Sequence, residues 1–317
     1  MQVLNRARIA VAAATLVLAA PVLAIDSVKM LIPANPGGGW DTTGRELGKA
    51  LTASGAVKNV QYDNKGGAAG AIGIAQFVNS AKGDPNAMMM GGMVMVGGLI
   101  QNKSAVTIDQ VTPIARLTSE YEVIVVPASG PKTLKELLEK FKANPGSVSW
   151  GGGSAGGTDH ILAGLIAKAV GVDAAKVNYV PFKGGGEAVS AIIGGHVTAG
   201  VSGYSEFSQH IKSGKMRALA VSSAKAMDGV PSLKEQGVNV ELANWRGVFG
   251  APGISKAQRD ELVAAVEKAV KSKEWKDTLK RQEWDDFYLP GDAYGKYIAE
   301  ENKRIGEILG SLSLGGK

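Results

Sequence analysis

Asn35-Pro36-Gly37-Gly38-Gly39-Trp40-Asp41-Thr42-Thr43 is the stretch on which the reading of this chain turns. The apolar run Val28, Met30, Leu31, Ile32 ahead of it reads as a strand, and Arg45, Leu47, Ala50 and Leu51 behind it have the spacing of a helix. A glycine loop between a strand end and a helix start is a place to hold an anion. Three glycines let backbone N–H groups converge with no Cβ in the way, and the unsatisfied N–H groups of the first helical turn add partial positive charge. Asp41 would repel an anion, so it is expected to act as a cap that accepts N–H bonds and fixes the loop. Trp40 either closes over the bound group or packs on the sheet.

Working outward, the strand Val60-Gln61-Tyr62 ends in Asn64-Lys65-Gly66-Gly67, a helix carries Ile72, Ala75 and Val78, and Ala87-Met88-Met89-Met90 runs into Gly91-Gly92. Alternating strands and helices predict a parallel, doubly wound sheet, with glycine clusters at the strand ends where such sheets bind ligands. A second unit echoes the first. Ser147 to Trp150 delivers Gly151-Gly152-Gly153-Ser154-Ala155-Gly156-Gly157-Thr158-Asp159-His160, Val177 to Val180 delivers Pro181-Phe182-Lys183-Gly184-Gly185, and Val197 to Val201 leads to Ser202-Gly203-Tyr204. Gly37 to Gly39 pairs with Gly151 to Gly153 in this echo, and Lys65 with Lys183. Two sheet edges facing one another make a cleft that clamps an anion from both sides; the two lysines either join it through charge-assisted bonds or are solvated.

Two crossings join the units: the long strand Pro113 to Val126, and the return through Trp245-Arg246-Gly247 to Pro252. Beyond it Ser255 caps a helix in a capping box with Gln258, and a last helix follows Asp292. The expected organisation is a discontinuous domain of residues 25–124 plus 247–317, a second domain of residues 125–246, and a hinge near Val125 and Trp245. Residues 1–24 read as a signal peptide: Arg6 and Arg8, an apolar run from Ile9 to Leu18, and small residues before a cut after Ala24. Export with no cysteine in the chain fits a bacterial periplasm, and it leaves no disulfide, thiolate metal site or cysteine nucleophile.

The net charge of +6 becomes +4 without the leader, 33 Lys and Arg against 29 Asp and Glu, which favours anionic partners. The basic residues are scattered, with no stripe interleaved with aromatics, so nucleic acid is not expected. Met88, Met89, Met90, Met93 and Met95 are read as core on a buried strand rather than as a soft-metal box. Three histidines without ligand spacing give no metal site, and no cofactor is expected.

Three familiar motifs nearly appear. Gly39 to Arg45 has P-loop glycine spacing, but Arg45-Glu46 stands where Lys and Ser or Thr are required. Gly151, Gly153 and Gly156 fit the dinucleotide fingerprint, but the next strand ends in Pro181-Phe182-Lys183 rather than an acid. Gly152 to Gly156 spells the nucleophile elbow of serine hydrolases around Ser154, with Asp173 or Asp228 and His196 or His210 as partners. An exported serine hydrolase is therefore the alternative to a binding protein. His160, in the first turn of its helix, either donates to a ligand or caps the loop.

The chain resembles the extracytoplasmic solute receptors of tripartite tricarboxylate transporters, also called Bug receptors. The resemblance rests on Pro36 to Asp41, Asn64 to Gly67, Gly153 to His160, Pro181 to Gly185, Gly214 to Ala220, Val230 to Leu233 and Trp245 to Gly247, in that order and spacing. It implies an α/β periplasmic binding protein of the Venus-flytrap, type II-like kind: two doubly wound domains, a two-crossing hinge, and a carboxylated ligand handed to integral membrane subunits. It also implies no catalysis and a monomer. The expected ligand-binding residues are Pro36, Gly37, Gly38, Gly39, Trp40, Asp41, Thr42, Lys65, Gly66, Gly92, Ser154, Gly157, Thr158, His160, Lys183, Gly184 and Tyr204. Asn35 to Asp41, Gly195-His196-Val197 and Ser202-Gly203-Tyr204 look like the tricarboxylate-type receptors, which leans the substrate towards citrate.

Overall fold

The computed structural model describes residues 24–182 and 185–312. The expected leader therefore lies outside the described residues except for Ala24, and so do Lys183 and Gly184 of the expected site. The chain starts with β1 (Ile25–Ile32), α1 (Gly39–Ala53), β2 (Val57–Asn64), α2 (Ala71–Ser80), β3 (Ala87–Gly92) and α3 (Met93–Gln101). β1 lies between β2 and β3 and is parallel to both, as the strand-helix alternation requires. Met88, Met89, Met90, Met93 and Met95 are all buried, but β3 ends at Gly92, so Met93 and Met95 belong to α3 rather than to the strand.

The long β4 (Thr112–Pro127) leaves this unit, and α4 (Leu134–Ala143), β5 (Ser149–Gly152), α5 (Thr158–Ala169), β6 (Asn178–Pro181), α6 (Gly185–Ile193) and β7 (Ala199–Gly203) repeat the arrangement. β5 lies between β6 and β7, parallel to both. The echo in sequence is thus an echo of topology, with the order 2-1-3 repeated as 6-5-7. Then follow α7 (Tyr204–Lys212), β8 (Met216–Val221), β9 (Ala243–Gly250), α8 (Lys256–Val270), α9 (Lys273–Gln282), β10 (Asp285–Pro290) and α10 (Gly291–Ser311). α7 carries Tyr204, Phe207 and Ile211 on one face at helical spacing, whereas β10 has no clear period in sequence. α7 carries a run of polar residues, and β10 exists because the edge of β4 offers it antiparallel partners at Ala115, Arg116, Thr118 and Ser119.

β4 belongs to both sheets. From Thr112 to Tyr121 it pairs with β9, and from Glu122 onwards with β7 and β8. The change of partner falls between Tyr121 and Glu122, ahead of the crossing expected near Val125. The returning helices pack on the first sheet, α8 and α9 against α1, and α10 against α3 and β4. Ser255 and Gln258 make the expected capping box at the start of α8. α10 is tied to the returning crossing by the Trp245 indole, which donates to Glu301 at 2.8 Å.

Candidate functional site

Two helix starts, one from each sheet, face the same space, and both are built the same way. Gly37 has a φ of +91°, which turns the chain into α1 and which a side chain would strain. Its N–H donates to Asp41 Oδ2 at 2.9 Å, and Asp41 Oδ1 accepts from Arg45 Nε and Asn64 Nδ2, each at 2.9 Å. Burial pushes the Asp41 carboxyl up, but the bonds from Arg45, Gly37 and Asn64 outweigh it and hold it below the ordinary carboxylate range. Asp41 is therefore ionised and fully engaged in shaping the loop.

The second start repeats this with different chemistry. Gly156, at φ +78°, donates its N–H to His160 Nδ1 at 3.1 Å, and the imidazole stacks on Tyr179 with 4.2 Å between ring centroids. Burial lowers His160 to about 4, so the ring is neutral and accepts. Gly37 to Asp41 thus corresponds to Gly156 to His160, and the pairing with Gly151 to Gly153 is corrected. Gly151 and Gly152 are the end of β5 and are small for packing. A Cβ on Gly152 would meet Tyr179 Oη at 2.6 Å and Asp159 Cβ at 2.7 Å.

Between the two starts lies a cavity of about 350 Å³. Of the expected residues, Pro36, Gly37, Gly38, Gly39, Trp40, Gly66 and Ser154 line it. Thr42 lines an adjoining cavity shared with Gly37, Gly39 and Glu206. Asp41 and His160 stand behind the loops that they tie, and Lys65 is exposed outside the cavity. Gly92 is the place where β3 meets β9, its Cβ position 2.3 Å from the Trp245 carbonyl oxygen. Gly157 is the N-cap of α5, Thr158 is fully buried in its first turn, and Tyr204 is buried in the smaller apolar cluster of the second sheet.

The two sides also touch directly. A Cβ on Gly97 of α3 would sit 2.1 Å from the carbonyl oxygen of Gly156, and one on Gly156 would sit 2.6 Å from Gln101 Cβ. Glycine lies on glycine where the first unit meets the loop of the second.

The cavity wall also holds residues that motif reading did not single out: Glu120 on β4, Asp159 on α5, Glu206 on α7, and Asn244 and Arg246 on β9. The Arg246 guanidinium pairs with Glu120, which also accepts from Ser205 Oγ at 2.9 Å and Trp284 Nε1 at 3.2 Å. Glu206 accepts from Ser202 Oγ at 2.5 Å, and its Oε1 lies 3.2 Å from the Cβ position of Gly39. The signal for Glu120 and Arg246 was present in the sequence: each is a charge inside a run otherwise fit for a buried strand.

Behind Asp159 stands Glu122, with no solvent exposure and with neither carboxyl oxygen hydrogen-bonded. Burial and the neighbouring carboxylates push Glu122 well above its usual value. Burial likewise lifts Asp159 to about 7, against the 2.5 Å bond from the Gly153 N–H. Both groups stay protonated in the folded state at pH values where the unfolded chain ionises them. The stability that they permit is therefore complete below the unfolded pKa of Asp159 and declines as pH rises through about 7. The expected result is a melting temperature of the ligand-free protein about 2–4 °C higher near pH 5 than near pH 8. In Asp159→Asn that slope should flatten, which differential scanning fluorimetry across the range will show.

Ser154 faces the cavity, yet among the described residues no hydrogen bond joins its hydroxyl to a histidine, and His160 spends Nδ1 on Gly156.

Two sheets sharing a long strand, with a cavity between paired helix starts, are the architecture of a periplasmic binding protein. An adipate-bound protein of Rhodopseudomonas palustris superposes with a TM-score of 0.82 at 20% identity, over 92% of this chain and 99% of that one. MatC from R. palustris with bound malate gives 0.79 at 21%, over 90% and 99%, and the periplasmic binding protein BugD gives 0.80 at 22%, over 92% and 99%. At these identities the likeness is one of fold. Residues 49–314 match the family described as tripartite tricarboxylate transporter family receptor, and the chain belongs to that family. The protein BugT of Bordetella pertussis is 27% identical over 308 residues, 93% of each chain. A Cupriavidus necator protein from the gbd 5' region is 28% identical over 195 residues, and that match spans 58% of its length. Among the described residues no helix is long and apolar enough to cross a membrane.

Proposed function

We propose that this chain is a periplasmic receptor that captures a small di- or tricarboxylate in the cavity and delivers it to integral membrane subunits, without catalysing a reaction on it. The observation that carries the reading is the convergence on one cavity of about 350 Å³ of Gly37 to Gly39 at the start of α1 and of Gly153, Ser154 and Asp159 around the start of α5, one from each sheet. The malate and adipate held by two neighbours of the same fold support a carboxylate ligand. Closure would bring residues 25–124 with 247–317 against residues 125–246, bending where β4 changes partners.

Calorimetry on the leaderless protein with citrate, tricarballylate, succinate, glutamate and an aromatic carboxylate tests this, and it also tests the lean towards citrate. At least one should bind, whereas a neutral sugar should not. Binding of the sugar alone would sink the reading. Gly38→Val should lose carboxylate binding by about 100-fold while keeping the fold, because the Cβ position has only the Asn35 carbonyl oxygen near it, at 3.9 Å. Serine-directed phosphonate labelling is expected to leave Ser154 unmodified.

A further inference from the structure

Gly39 opens α1, and its bare face is met by two charges of the chain itself. A Cβ there would strike the Arg246 guanidinium and would lie 3.2 Å from Glu206 Oε1. Arg246 comes from β9 and also donates to Thr43 Oγ1 at 3.4 Å, whereas Glu206 comes from α7, the helix that follows β7 of the second sheet. The N-cap of α1 is Gly38, which has no side chain to offer, and Asp41 turns back to Gly37, Arg45 and Asn64. The first N–H groups of a helix carry partial positive charge and need an acceptor from elsewhere. At Gly39 that acceptor is the Glu206 carboxylate, brought across from the facing unit. Glycine at this position thus admits a close approach by the chain's own side chains.

We propose that Glu206 is a built-in competitor of the ligand: its carboxylate caps the start of α1 from the facing unit, and a ligand carboxylate takes that place only by displacing it. This rests on the receptor reading given above and adds a control on the same glycine loop. Ser202 Oγ, which donates to Glu206 Oε2 at 2.5 Å, keeps the side chain aimed at α1. Burial and then the Glu120 charge raise the Glu206 carboxyl, while Ser202, Arg246 and the Gly39 N–H pull it back. A carboxylate that burial and a like charge disfavour is one that a better-balanced anion can displace. It also has somewhere to go. Glu206 lines the adjoining cavity of about 330 Å³ as well, where Thr42, Ser205, His210 and Gln282 offer polar surroundings.

The first measurement uses acetate in place of the missing side chain. In the leaderless Glu206→Ala variant, about 50 mM sodium acetate should raise the melting temperature by about 2–4 °C over the same concentration of sodium chloride, and by under about 1 °C in the wild type, whose cap is in place. The second is calorimetry with whichever di- or tricarboxylate binds the wild type. A competitor in place about nine-tenths of the time weakens apparent affinity about tenfold, so Glu206→Ala should bind that ligand about tenfold tighter. Glu206→Gln keeps an acceptor oxygen for the Gly39 N–H and should gain less, about threefold. Equal gains in the two variants with no acetate effect would mean that Glu206 acts through its charge alone, and the proposal falls. Weaker binding by either variant overturns it too, and the glutamine variant decides the matter if the alanine variant does not fold. Both results leave the receptor reading standing. Acetate rescue of the alanine variant, with no di- or tricarboxylate bound by any of the three proteins, would uphold the cap and overturn the receptor reading.

Discussion

Replacing Arg246 with methionine is expected to destabilise the ligand-free protein by about 3–5 kcal/mol in urea unfolding. The reason is what it leaves behind. The side chains of Arg246 and Glu120 are 5% and 2% exposed, so removing the guanidinium strands a carboxylate in a site that water barely reaches. Ser205 and Trp284 still donate to Glu120, but two neutral donors do not replace a charge. The double variant Glu120→Gln with Arg246→Met should recover most of the loss, since a carboxamide can accept the same two bonds at no ionic cost. The cycle of singles and double gives the coupling directly. A loss below about 1 kcal/mol for Arg246→Met would mean that Glu120 reaches solvent. Glu120 stands on β4 and Arg246 on β9, so the pair joins two neighbouring strands at the wall of the cavity.

The second large effect is expected from Gly97→Val, which touches no residue of the cavity wall. Its Cβ would lie 2.1 Å from the Gly156 carbonyl oxygen, so valine and the contact between the two units cannot coexist without a shift of the backbone. If the units separate when the cavity is empty, the substitution harms only the closed form. Ligand affinity should then fall about 30- to 300-fold through the smaller population competent to close, while the unfolding free energy changes by about 1 kcal/mol or less. Small-angle scattering should show the variant failing to contract on addition of ligand. Gly98→Val is the control. Its Cβ would strike Ala69 Cβ at 2.2 Å within the same unit, so it should lower stability whether or not ligand is present. Equal losses of stability in the two variants would remove the case for a closing motion at this contact.

Much of the fold was legible because its signals are local. The run Val28 to Ile32, the glycine loop after it and the periodic helix beyond it need no tertiary context, and the same holds for the capping box at Ser255. The strands that the sequence hid are those made by their partners. β10 is polar at Asp285 and Asp286 and becomes a strand through the free edge of β4. The site divides the same way. Glycine loops announce themselves by composition, whereas Glu120, Glu206 and Asn244 come together only because β4, α7 and β9 meet, at sequence separations that no spacing rule covers. The shifted pairing of Gly37 with Gly151 had a definite cause as well. Three consecutive glycines stand in both stretches, while the feature that recurs in structure is a left-handed glycine four residues ahead of a side-chain acceptor, Asp41 in one unit and His160 in the other.

That recurring acceptor fixes how any titration of binding is to be interpreted. Asp41 stays ionised, held below the ordinary carboxylate range, and His160 stays neutral down to about 4, so the bonds that these two side chains accept from Gly37 and Gly156 do not change between mildly acid and mildly alkaline conditions. The proposed grip of these loops on a carboxylate is in this sense buffered against the medium. A pH dependence measured for affinity in that range reports on the facing wall, on Asp159 and Glu206, and a flat profile reports that the wall keeps its protons throughout.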